Sequence, residues 1–228
     1  MTDSTPKTAP TSARQHIDAA TASRGAVYNL MNSIVAPRAI AWVSTRSARG
    51  INNLAPHSYC MIVSADPPII AFSSAGAKDT LANIKATGEF VFNHVPGVLA
   101  AQMNLSSADF PPETSEFDWT GLTPLPSVVV AAPSVGESPA AMECRVRDIQ
   151  EFGNGPSAYL IIADVVYITV DAALYADGIL DDKLSQPVGR LARSGYVRST
   201  TFFDLPRPTY QGLLDEGAKP QRNPAVSS

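Results

Sequence analysis

Apolar residues come in short runs along this chain, interrupted by Gly, Pro, Asn and Ser. Residues 38–45 form one such run, with β-branched and aromatic members between Pro37 and a polar turn at 47–50, and read as a strand. Residues 58–64 and 69–74 read as two more, flanking Pro67-Pro68. Proline cannot donate to a sheet ladder, so that pair belongs at a strand start or a barrel corner. Residues 89–95 are a further strand. Across 142–147, apolar Met142, Cys144 and Val146 alternate with Glu143, Arg145 and Arg147, which marks a strand with one wet face. Residues 159–170 form a long, largely apolar and β-branched stretch, which predicts burial on both faces, and 153–156 predict the turn before them.

Helical signals are fewer. Asp79 suits the N-cap of a helix over 80–86, and Gly88 lies just past its end. A second, weakly periodic helix is predicted over 97–105. Many short strands with few helices predict a mainly β, closed antiparallel barrel. Residues 1–23, rich in Thr, Ser, Ala and Pro, predict a flexible N-terminal tail, and 24–205 a single domain. Residues 206–228 carry Pro206, Pro208, Pro220 and Pro224 and predict an extension that is mobile or packs on a partner subunit.

Composition narrows the picture. A net charge of −4 without any basic run argues against a nucleic-acid partner. No stretch is long and apolar enough for a membrane span, and the N-terminus lacks the apolar core of a secretory signal. Cys60 and Cys144 form no CxxC pair, which argues against a disulfide scaffold or a zinc site. The expectation is a soluble, reduced, cytoplasmic protein without metal. No GxGxxG follows a strand, so a nicotinamide-binding Rossmann domain is not expected.

The candidate chemistry lies within 37–93. Lys78-Asp79-Thr80 offers a cation, a helix start whose N–H groups favour anions, and a hydroxyl. Taken alone such a triplet is more often a solvated helix start. In Asn53-Leu54-Ala55-Pro56-His57-Ser58, Pro56 limits backbone freedom, and Asn53 brings both a donor and an acceptor. The bland alternative is an ordinary strand-to-strand crossing. Arg38 is equally compatible with a structural salt bridge and a phosphate contact. His57 beside a proline is more often a surface or hydrogen-bonding residue than a general acid or base.

These motifs, in this order, resemble the flavin reductase-like family: Pro37-Arg38 with the following strand, Asn53 to Tyr59, Phe72-Ser73-Ser74, and Lys78-Asp79-Thr80. The likeness continues through Gly121-Leu122-Thr123-Pro124, Glu137 to Cys144, Val188-Gly189-Arg190-Leu191 and Gly195-Tyr196, from about Ala26 to Tyr196. Many relatives have an aromatic and then Asn where this chain has Cys60-Met61, and Gly-Glu where it has Ala163-Asp164.

The resemblance implies a Greek-key split β-barrel that binds FMN, with FAD secondary, and takes hydride from NAD(P)H. It implies that Lys78, Asp79, Thr80 and Ser73 serve the phosphate. Ser44 and Thr45 would serve the ribityl or phosphate groups, and Asn53, Leu54, Ala55, Ser58 and Tyr59 would line the ring. No side chain is expected to be catalytic, because flavin N5 accepts the hydride. A homodimer is implied, with a partner monooxygenase or another electron acceptor. A flavin electron carrier without fast NAD(P)H turnover and a non-catalytic ligand-binding barrel remain open.

Overall fold

Two adjacent strands in the sequence turn out to be opposite edges of one sheet, and this decides the architecture. The computed structural model describes residues 14–153, 158–215 and 217. Its main sheet contains β1 (Ala41–Arg46), β2 (Asn52–His57), β3 (Cys60–Ala65), β4 (Pro68–Ala75), β5 (Glu89–Asn93), β8 (Ala140–Phe152) and β9 (Ala158–Val170). All its pairings are antiparallel, in the order β2-β1-β5-β8-β9-β4-β3. A flat sheet of this size would hold its edges roughly 29 Å apart at ~4.8 Å per strand step. The three backbone steps from His57 to Cys60 reach about 11 Å at most. The sheet must therefore curl until its edges meet. Across the closure the His57 ring of β2 lies 4.9 Å from Phe72 of β4. Among the described residues no ladder pairs β2 with β3, so the closed barrel keeps a seam there.

The barrel interior holds Val43, Phe72, Phe90, Cys144 and Ile161, and helix α2 (Asp79–Thr87) adds Leu81 and Ile84 to it. The other face of β1 packs Trp42 with Leu54, Met103, Phe117, Leu122 and Val135. Trp42 and Val43 are both fully buried, which is why this strand reads as an unbroken apolar run. The outer layer includes α1 (Arg24–Ile34), α3 (Ala100–Leu105), α4 (Glu116–Thr120) and the short pair β6 (Pro124–Leu125)–β7 (Ser134–Val135). Further on come β10 (Tyr175–Ala176)–β11 (Ile179–Leu180), α5 (Asp182–Ser185), β12 (Val188–Arg190)–β13 (Tyr196–Arg198) and α6 (Tyr210–Asp215).

Several expectations are corrected. Residues 53–57 are strand β2 rather than a loop, and Pro56 is tolerated because β2 is an edge. Asp79 is the first helical residue and Lys78 the N-cap. Residues 97–105 divide into a 3₁₀ turn, Gly97–Leu99, and α3. Helices α1 and α4 were not anticipated: α1 begins where the Ser23 hydroxyl accepts from the Ala26 N–H, and α4 has only five residues. Glu143 does not lie on a wet face. It is buried under residues 128–130, whose amides donate to its carboxylate at 2.6–3.1 Å. β9 is not buried throughout, since Ile168 is 58% exposed. The predicted turn at 154–156, and residues 1–13, 216 and 218–228 of the expected tails, lie outside the described residues.

Candidate functional site

Two cavities flank the seam. The first, of about 320 Å³, is lined from β2 by Asn53, Ala55, Pro56 and His57, and from β4 by Ser74 and Ala75. Lys78, Asp79 and Thr80 of the α2 entry, residues 106–110, and Glu116 of α4 complete it. The second, of about 480 Å³, is mostly apolar. Met31 and Val35 of α1, Tyr59, Cys60 and Met61 at the seam, and Leu160 of β9 line it, together with Ser58 and Ser73. Both volumes fall in the usual range of small-molecule sites, roughly 300–1,000 Å³.

The sequence-predicted residues thus fall into three groups. Asn53, Ala55, Lys78, Asp79 and Thr80 meet in the first cavity, while Ser58, Tyr59 and Ser73 meet in the second. Ser44, Thr45 and Leu54 are fully buried and line neither. Ser44 donates to the Pro133 carbonyl and accepts from Asn93 Nδ2. Thr45 donates to Asn53 Oδ1 at 3.2 Å and accepts from Asn83 Nδ2 at 3.0 Å. Leu54 belongs to the core, and its N–H donates to Glu116. Arg38 makes none of the three ion pairs found among the described residues. It donates to the carbonyls of Asn32 and Val35 at the end of α1 and to that of Leu191.

The electrostatics of the first cavity follow from α2. Its N-cap, Lys78, makes no side-chain capping bond, so the first-turn amides keep their positive end uncovered. Lys78 Nζ lies 2.7 Å from Asp109 Oδ1 in a solvent-exposed pair. His57, expected as a surface or hydrogen-bonding residue, is half-buried against the Phe72 ring and hydrogen-bonds to Ser73. Burial, reinforced by the Lys78 charge and opposed by a hydrogen bond to Ser73, lowers its pKa to about 4 and keeps it neutral. Its Nε2 is buried without a partner.

Glu116 was not singled out from the sequence. It is 4% exposed, and its two carboxylate oxygens accept from Asn53 Nδ2 at 2.7 Å and the Leu54 N–H at 2.8 Å. Burial raises its pKa, against the pull of those hydrogen bonds. A single Glu in a short, irregular segment carries no periodic signal, so only the fold could place it beside β2. Among the described residues no cluster of His, Cys, Asp or Glu could hold a metal, and no helix is long and apolar enough to cross a membrane.

Three comparisons bear on this geometry. The family model described as flavin reductase like domain matches residues 31–183. An uncharacterised protein of Halalkalibacterium halodurans is 38% identical over 195 residues, spanning 82% of this chain and 93% of that one. The crystal structure of nitrilotriacetate monooxygenase component B from Bacillus cereus is 33% identical with a TM-score of 0.82, over 86% of this chain and 100% of that one. A Shewanella frigidimarina structure with a split barrel domain has a TM-score of 0.76 over 86% of this chain and 100% of that one. At 24% identity it speaks to the fold alone, which is the split barrel.

Proposed function

The chain belongs to the flavin reductase-like family, and on that premise we propose that it is an FMN-dependent oxidoreductase fed by NAD(P)H. The observation that carries the reading is the pairing of an uncapped α2 N-terminus and Lys78 in the more polar cavity with a mostly apolar cavity across the seam. A phosphorylated ligand with a flat ring needs both. When bound, FMN supplies a hydride acceptor at N5.

The residues then have distinct tasks. Lys78 and the first-turn amides of α2 hold the phosphate, and ligand phosphate replaces Asp109 as the partner of Lys78. Ala55, Ser58 and Tyr59 at the seam orient the ring, with Met31 and Met61 bordering its apolar side. His57 stays neutral and holds the seam against Phe72 without moving a proton.

The active unit in this reading is a homodimer. The edge strand β3 exposes Met61, Ile62 and Val63, α1 exposes Met31 and Ile34, and β9 exposes Ile168, apolar side chains that a second copy would cover. The likeness to component B of a monooxygenase supports a partner oxygenase as the consumer of reduced flavin. Two unpaired thiols, Cys60 and Cys144, are consistent with a cytoplasmic setting.

Anaerobic titration tests the proposal. FMN is expected to bind the purified protein, and adding NADH or NADPH is expected to bleach the flavin absorbance. Tighter binding of FAD than FMN overturns the cofactor assignment. Bound FMN that neither nucleotide bleaches turns the reading into an electron carrier.

A further inference from the structure

Two aromatic rings beside the first cavity have no task in the flavin reading. Phe110 lines the cavity together with Lys78, Asp109 and Pro112, and its ring centroid is 5.6 Å from that of Trp119 at a 41° tilt. The Lys78–Asp109 pair has side chains 63% and 85% exposed, so the cavity opens to solvent where Phe110 stands. Trp119 is 63% exposed, whereas Trp42, the only other tryptophan, is fully buried.

The exposed indole is held in place from behind. It is carried by α4, whose Phe117 is 2% exposed in the core. The neighbouring Glu116 carboxylate accepts from the Asn53 amide and the Leu54 N–H of β2. The Gly121 N–H closes the helix on the Phe117 carbonyl at 3.1 Å. Phe110 is followed by Pro111-Pro112, which restrict its backbone. An aromatic pair fixed in this way loses little conformational freedom when a flat group stacks on it.

The position of the pair selects the ligand. A phosphate at Lys78 stands where Asp109 does now, one residue from Phe110. Only a ligand that continues beyond that phosphate reaches the two rings. Purine bases stack on aromatic side chains through their π faces. We infer that Phe110 and Trp119 form a stacking platform for the adenine of FAD, with the flavin-side phosphate held at Lys78. The assignment rests on the flavin reading and adds a second ligand to it. Asp109, Glu113 and Asp118 are exposed along the same segment and repel the additional phosphate. FAD therefore stays behind FMN in affinity, and the platform decides by how much.

FMN and FAD affinities are measured on the full chain for wild type, Trp119→Ala, Trp119→Phe and Phe110→Ala. Trp119→Ala is expected to weaken FAD about tenfold and to leave FMN unchanged. Trp119→Phe, which keeps a π face, is expected to recover most of that loss, and Phe110→Ala to weaken FAD selectively as well. The adenine of NAD(P)H offers the same chemistry, so NADH and NADPH are titrated against the FMN-loaded variants, where half-saturation is expected to hold. Equal loss of FMN and FAD in Trp119→Ala, an unchanged FAD affinity, or weakened nicotinamide binding overturns the assignment and leaves the flavin reading intact. So does a wild type that binds FMN but not FAD. Binding of neither flavin overturns both. Phe110→Ala decides the matter if Trp119→Ala fails to fold.

Discussion

At the scale of single residues, burial pushes Glu116 and His57 in the same chemical direction, toward the neutral form: the carboxyl rises and the imidazole falls. For His57 the consequence is a pH-dependent stability. An unfolded imidazole protonates near pH 6.5, whereas the folded one resists until about pH 4. Its contribution is complete above pH 6.5, erodes as pH falls, and is gone below about pH 4, with a ceiling of about 3 kcal/mol. His57→Phe is expected to flatten the fall in urea midpoint between those pH values. An unchanged slope would place the titrating group elsewhere. His94, also lowered by burial, keeps some slope in the variant.

Lys78 supports a second prediction at this scale. Lys78→Met is expected to cost FMN about 1.5–3 kcal/mol of binding while riboflavin holds. Asp109→Asn removes a competitor for the same ammonium, so FMN should bind about two- to fivefold more tightly. Equal effects on FMN and riboflavin in either variant would move the phosphate away from Lys78.

At the scale of elements, α2 is the piece that brings charge and barrel together. Its apolar Leu81 and Ile84 anchor it in the interior, which fixes where its open N-terminus points. Gly88 ends it in a left-handed conformation at φ 73°, and its N–H bonds to the Ile84 carbonyl at 2.8 Å. An added Cβ at Gly88 meets nothing within 4 Å, so Gly88→Ala carries only the backbone cost, about 1 kcal/mol. The expected outcome is a lower urea midpoint with unchanged FMN affinity in the folded protein. A large loss of affinity would mean that the helix end reorients the site.

At the scale of the whole molecule, exposed apolar surface on β3, α1 and β9 is the feature a single chain leaves unexplained. The homodimer proposal puts those faces together. Ile62, 77% exposed on the edge strand, lies outside both seam cavities. Ile62→Lys is therefore expected to shift the protein from dimer to monomer in light scattering without touching the phosphate end. A wild-type monomer at micromolar concentration would remove the proposal.

Period-two alternation, apolar runs and the proline corner were enough to locate β1, β3, β4, β5, β8 and β9, because these patterns follow from which faces a strand must bury. The Gly88 stop and the start of α2 were legible to within one residue for the same local reasons. β2 was not, since its Asn and Pro content resembles a loop and only pairing with β1 makes it a strand. Glu143, His57 and Glu116 show the same limit for polar residues. Their types suggest solvent or catalysis, yet each is buried by segments distant in sequence that bring either hydrogen bonds or apolar neighbours. The motif order was enough to assign the family. Only barrel closure could separate Asn53 and Thr80 from Ser58 and Ser73 into two cavities, because which side of a seam a residue faces is decided by the curl of the whole sheet.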